Sequence, residues 1–155
     1  MVEEKLQEMV IAKEDAVFWM DRFGRWHNAG GPFKHKKIID HFNSSIRYDK
    51  HGYFVEQMRD NVHEKVYFRY EETPIFVVDV DINEEVNLLL NTGEGLILKP
   101  EQLFVSKDNL YLQRGEQRIK FTERVLLKLA AYIEYDEGGY YFISGPKRHH
   151  LVEHR

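Results

Sequence analysis

The stretch Gly30-Gly31-Pro32-Phe33-Lys34-His35-Lys36-Lys37 holds the residue types best suited to catching an anion. Glycines ahead of a helix free backbone amides at its positive end, and lysines add charge, so Gly30, Gly31, Lys34, His35 and Lys36 form a candidate site for a small anionic ligand. The strand-then-Gly-x-x-x-x-Gly-Lys-Ser/Thr order of a nucleotide loop is missing, and the plainer alternative is a solvated basic helix start. Asp79 and Asp81 stand two apart on an expected strand, the spacing of paired carboxylates in a divalent-metal or acid–base site, with Glu84 and Glu85 in the turn that follows. The plainer alternative there is a wet face opposite Phe76, Val78 and Val80 in the core.

Of the eight histidines, His150 and His154 have helical i,i+4 spacing beside Glu153. No His-Glu-x-x-His set exists, and His35 and His41 face different sides of a helix, so neither a metal nor another cofactor is expected. Tyr48, Tyr53, Tyr67 and Tyr70 beside Arg47 and Arg69 could stack bases on a sheet, but a formal charge of −4 argues against nucleic acid. There is no Gly-x-Ser-x-Gly elbow and no dinucleotide fingerprint, so catalysis is unsupported by motif.

The elements that must position these residues fit one domain of 155 residues. Cysteine is absent, which removes thiol chemistry and favours a cytoplasmic location. The first residues carry acids where an export signal needs bases, and no apolar run is long enough to span a bilayer, so no membrane association is expected. An aromatic share of 14% suits half-buried strands.

Val2, Leu6, Met9 and Val10 predict a short N-terminal amphipathic helix. A hairpin follows, turning at Asp21-Arg22-Phe23-Gly24, then a helix from Pro32 to Ser44 with Ile38, Ile39 and Phe42 on one stripe. A second hairpin turns at Asp49-Lys50-His51-Gly52. Strands are predicted at 66–70, 75–81 and 86–90, with Pro74 marking a strand start or an edge. A third hairpin turns at Ser106-Lys107-Asp108-Asn109, with Asn109 supplying the left-handed residue. Thr122 caps a helix carrying Val125, Leu126, Leu129 and Ala130, and a last hairpin turns at Asp136-Glu137-Gly138-Gly139. The tail 145–155 reads as basic and mobile.

Ile46 to Val55 lies over Ile133 to Phe142 at one constant shift, with Ile, Tyr, Asp, Gly and Tyr identical, and the preceding helices align at the same shift. The preceding hairpins match as well, placing Trp19, Gly24 and Trp26 over Phe104, Asn109 and Tyr111. The expectation is an α+β fold, mainly antiparallel sheet, of two hairpin–helix–hairpin repeats packed into one compact unit. Repeat one spans about residues 16–56, central strands 57–100, and repeat two 102–144.

Gly24-Arg25-Trp26, Gly30-Gly31-Pro32-Phe33, Asp49 to Tyr53, Glu72-Thr73-Pro74-Ile75-Phe76-Val77-Val78-Asp79-Val80, Asn91-Thr92-Gly93 and the final aromatic hairpin occur in this order. On these stretches the run from Ala16 to Gly145 resembles the bacterial family catalogued as domain of unknown function 1285. The resemblance implies two related α+β repeats, no established activity, and a suggested role in signalling or ligand response. The chain departs from the family in carrying His35 where an arginine is usual, and in added hairpin length at Gln57 to Asn61. The functional reading is a non-catalytic small-molecule or anion-binding domain, or a signalling-related interaction domain. The alternatives are a metal-dependent enzyme using Asp79 and Asp81 and a single-stranded nucleic-acid-binding sheet. A homodimer is expected if an edge strand such as Val66 to Tyr70 stays unpaired.

Overall fold

The computed structural model describes residues 6–154, so Val2 of the expected N-terminal helix and Arg155 of the tail lie outside the described residues. The chain forms two compact units, residues 1–74 and 75–155.

The first unit runs β1 (Gln7–Ile11), β2 (Phe18–Met20), β3 (Trp26–Asn28), β4 (Gly31–Pro32), α1 (Lys36–Ser44), β5 (Ile46–Asp49), β6 (Gly52–Arg59) and β7 (Val62–Tyr67). Strands β2, β3 and β4 make one sheet, and β1, β7, β6 and β5 make another in that order. The first turn forms as its sequence predicts: Asp21 Oδ1 accepts the amides of Phe23 and Arg25, and Gly24 takes φ +80°. Alternation along β2 sends Met20 inward beside Trp26 and leaves Trp19 exposed. Trp26 is 1% exposed, meets the rings of Phe18, Phe42 and Phe68, and donates its indole N–H to Asn43 Oδ1 at 2.7 Å.

Three expectations change here. The N-terminal segment is strand β1 rather than a helix. A single short helix is marginal in water, whereas Val10 and Ile11 suit an extended chain, and Gln7 to Ile11 complete a parallel ladder along Val62 to Val66. Helix α1 starts at Lys36, because Gly31 and Pro32 pair with Asn28 and His27, and β4 has one neighbour, where a missing amide hydrogen is tolerated. Val66 is no free edge, since β7 lies between β1 and β6. Residues Gln57 to Arg59 complete β6, and its hairpin closes through Asp60 and Asn61, both left-handed at φ 45° and 63°.

The second unit runs β8 (Phe76–Ile82), β9 (Val86–Leu90), β10 (Gly95–Ile97), β11 (Leu103–Ser106), β12 (Asn109–Arg114), β13 (Gln117–Phe121), α2 (Glu123–Leu129), β14 (Ile133–Asp136), β15 (Gly139–Ser144), β16 (Lys147–His150) and β17 (Val152–His154). A seven-stranded sheet has the order β10-β9-β8-β13-β12-β11-β17, with β13–β8 and β11–β17 parallel. A three-stranded sheet has the order β14-β15-β16. Thr122 caps α2, its side chain accepting the amide of Val125. Val125 and Leu129 are buried, while Ala130, expected on the same side, is exposed.

Strand β13 adds Ile119 and Phe121 to the core. The third hairpin turns on Lys107 and Asp108, at φ 49° and 63°, and Asn109 already belongs to β12. The tail is not a loose basic end: β16 pairs with β15, β17 pairs with β11, and Leu151 between them is 0% exposed. A register shift between Val77 and Asp79 breaks the alternation of β8, so Phe76 and Val80 are buried as expected but Val77 is buried and Val78 only partly so.

The expected α+β fold of two hairpin–helix–hairpin repeats in one compact unit therefore does not hold. The described residues are mostly strand, with two α-helices. Strands β2–β4 form a sheet of their own, whereas β11–β13 are built into the seven-stranded one. Each expected hairpin gains a third strand that follows the second after a short turn, β4 after β3, β7 after β6, β13 after β12 and β16 after β15. No helix among the described residues is long and apolar enough to cross a membrane.

Candidate functional site

Three adjoining depressions open on the first unit. One of about 530 Å³ is lined by residues including Lys13, Trp19, Asp21, Arg69, Tyr70 and Glu71. A second of about 330 Å³ shares Lys13, Arg69 and Tyr70 with it and adds His51 and Tyr67. A third of about 690 Å³ shares Lys13, His51 and Tyr67 and extends to Asp49, Lys65 and Glu8. The shared residues make one groove, with Lys13 common to all three parts.

Local structure explains who faces it. Lys13 stands on a single 3-10 turn, Lys13–Asp15, that follows β1. Trp19 is the outward residue of β2, 42% exposed, with its indole stacked on the His27 ring at 5.9 Å and 8°. A bridge between Trp19 and Arg69, with the Met20 amide donating to the Arg69 carbonyl, brings the segment after β7 alongside β2. Tyr70 lies edge-on to Tyr53 at 5.5 Å.

The charges differ along the groove. At one end the Tyr67 hydroxyl donates to Asp49 Oδ2 at 2.7 Å, and Lys65 lies 3.7 Å from Asp49 and 3.4 Å from Glu8. Burial and this bond push the Tyr67 phenol up to about 12, while the Tyr67 hydrogen bond holds Asp49 below its ordinary value. At the other end burial pushes the Asp21 carboxyl up, but the His27 hydrogen bond at 2.7 Å and the amides of Arg25 and Phe23 outweigh it and leave it lowered. Glu71 Oε2 accepts the Arg22 amide at 2.7 Å. Between these ends, neither Lys13 nor Arg69 has a carboxylate partner among the described residues.

The residues predicted from sequence are only partly brought together. Gly30, Lys34 and His35 line a separate depression of about 330 Å³ with Asn28, Pro32, Phe33 and Ile38. Gly31 and Lys36 do not line it; Lys36 points into solvent near Asp40, at 3.8 Å. The Gly30 amide already donates to Asn28 Oδ1, and the glycines lie in and beside β4 rather than against the helix start, so the expected helix-end anion cradle is not formed as drawn. Asp79 accepts from Lys128 at 2.7 Å, which holds its carboxyl below the ordinary value, and Asp81 accepts from Asn83. His150 and His154 lie on different strands rather than one helix. Among the described residues no group of three or more His, Asp or Glu could hold a metal ion. Arg47 is engaged by Glu56 and two carbonyls, and Tyr53 is buried, so the expected stacking face is not an open array.

Sequence reasoning missed Lys13, Trp19, Asp21, His51 and Glu71 as neighbours. Trp19 carried a signal, a tryptophan at the outward position between inward Phe18 and Met20; Lys13 carried none.

No family model matches the chain, and no curated protein matches it. Two crystal structures are similar. One, of a DUF1285 family protein from Silicibacter pomeroyi DSS-3, is 15% identical, with 94% of this chain and 82% of that chain covered at a TM-score of 0.62. The other, of a DUF1285 family protein from Shewanella baltica OS155, is 18% identical, with 74% of this chain and 91% of that chain covered at a TM-score of 0.53. The resemblance read from the short motifs is met by these neighbours in three dimensions: the chain has the fold of DUF1285 family proteins.

Proposed function

We propose that the first unit is a non-catalytic module that binds a small organic anion in the groove around Lys13 and Arg69. One observation carries this reading: two cations line one concave surface, and neither forms an ion pair with a carboxylate of the described residues. A guanidinium beside an ammonium suits a carboxylate or phosphate, and about 530 Å³ is room for a small molecule. Asp21 of the groove pairs with His27, which does not line it, and no serine or threonine hydroxyl stands among the lining residues to serve as a nucleophile, which favours binding over acyl transfer.

The test is a thermal-shift panel of phosphates, nucleotides and small carboxylic acids. Stabilisation by one class is expected to disappear in Lys13→Ala/Arg69→Ala and to persist in Lys34→Ala/Lys36→Ala. The opposite pattern moves the anion to the Gly30–Lys34–His35 depression; a flat panel removes the reading.

A further inference from the structure

The groove holds more than two cations, and its other members narrow the class of anion. Asp21 and Glu71 line the same depression as Lys13 and Arg69. Inorganic phosphate or a polycarboxylate filling this space would set negative charge against both carboxylates. A ligand that brings hydroxyl donors to them and negative charge only to the cations meets no such conflict. Both carboxylates keep acceptor capacity: of about four acceptor sites on a carboxylate, Asp21 gives both on Oδ1 to the Phe23 and Arg25 amides and one on Oδ2 to His27, and Glu71 gives one on Oε2 to the Arg22 amide. Carboxylates that receive a vicinal diol are the common way proteins hold a ribose.

Trp19 supplies the third constraint. One face of its indole lies on His27, the ring is 42% exposed, and it lines the depression together with Arg69. An exposed tryptophan beside a cation offers a stacking surface to any flat ring.

Resting on the reading of this groove as an anion site, we infer that its ligand is a nucleoside monophosphate or a close analogue. The base stacks on Trp19, the ribose diol donates to Glu71 and Asp21, and the phosphate lies between Arg69 and Lys13. Base, sugar and phosphate each meet the chemistry that recognises them, within one cavity of about 530 Å³.

Isothermal titration of the full chain with AMP, ribose 5-phosphate, adenosine and inorganic phosphate separates these contacts. AMP is expected to bind about tenfold more tightly than ribose 5-phosphate, the contribution of one stacked base. Trp19→Ala removes that difference and Trp19→Phe restores part of it, while Arg69→Ala weakens AMP by about tenfold or more. Trp19 is outward-facing, so these variants are expected to fold, which the heat-denaturation midpoint verifies. Ribose 5-phosphate or phosphate binding as tightly as AMP, or AMP binding unchanged in Trp19→Ala, overturns the nucleotide assignment and leaves the anion site standing. Adenosine binding as tightly as AMP overturns the phosphate contact. No binding by any of the four, with Arg69-dependent stabilisation by a carboxylic acid in the panel, overturns the nucleotide alone; no anion binding at all overturns both readings.

Discussion

The β5–β6 hairpin of the first unit and the β14–β15 hairpin of the second are built on the same turn chemistry. In each an aspartate Oδ1 accepts the amide two residues on, Asp49 from His51 at 2.9 Å and Asp136 from Gly138 at 2.7 Å. In each a glycine closes the turn, Gly52 at φ +117° and Gly139 at +114°. The cross-strand tyrosines match too, Tyr48 with Tyr53 at 4.7 Å and Tyr135 with Tyr140 at 4.6 Å.

The third strands differ. Asp49 Oδ2 receives the Tyr67 hydroxyl and lies near Lys65 on β7, and the surface beyond opens as the groove. Asp136 Oδ2 receives Arg148 on β16, whose guanidinium also reaches Glu134 and lies 3.6 Å over the Tyr141 ring. The second hairpin therefore closes its cation into contacts of its own, while the first neighbours Lys13 and Arg69, which form no ion pair with a carboxylate of the described residues. A turn formula fixes a hairpin; the strand beside it decides whether the surface is available to a ligand.

The largest effects test what anchors each region. Trp26→Ala is expected to cost about 3–5 kcal/mol in denaturant unfolding, through loss of the aromatic cluster under β2 and β3. Leu151→Ala is expected to cost about 2–5 kcal/mol. A tail that merely trailed the second unit would lose nothing on that substitution, so a cost near zero contradicts the placement of β16 and β17.

The two turn glycines give a smaller and sharper contrast. Alanine at either position meets the same left-handed backbone, a cost of about 1–3 kcal/mol. A Cβ at Gly52 meets nothing within 4 Å, whereas at Gly139 it would stand 3.2 Å from the His150 ring. Gly139→Ala is therefore expected to destabilise more than Gly52→Ala, and equal midpoints for the two variants contradict the described seat of His150.

The smallest effect is a pH dependence. The folded state holds the Tyr67 proton more tightly than the unfolded chain, with the phenol raised from 10.0 to about 12. Its stabilisation is complete below pH 10 and is lost as pH rises through about 12. Ultraviolet titration is expected to show a late-ionising tyrosine that is missing in Tyr67→Phe and moves down in Asp49→Ala; a titration that is the same in all three proteins rejects the bond.

Much of the strand pattern was legible, because turn residues announce themselves locally: Asp21 with Gly24, Asp49 with Gly52 and Asp136 with Gly139 all turn where their sequences say. What depends on distant partners was not. Leu6, Met9 and Val10 suit helical spacing, and only the ladder along β7 makes 7–11 a strand. Lys147 to His150 reads as a charged tail until Leu151 is seen buried beside it. The groove was hidden for the same reason, since Lys13, Trp19 and Arg69 are far apart in sequence and meet through the Trp19–Arg69 bridge and the turn after β1.

Acrylamide quenching of tryptophan fluorescence tests the groove most directly, because Trp26 is 1% exposed and Trp19 is 42% exposed. An anion that stabilises the protein in the thermal-shift panel is expected to protect the quenchable tryptophan, and Lys13→Ala/Arg69→Ala to abolish that protection. Stabilisation with the quenching of Trp19 unchanged would contradict the assignment of the ligand to this groove.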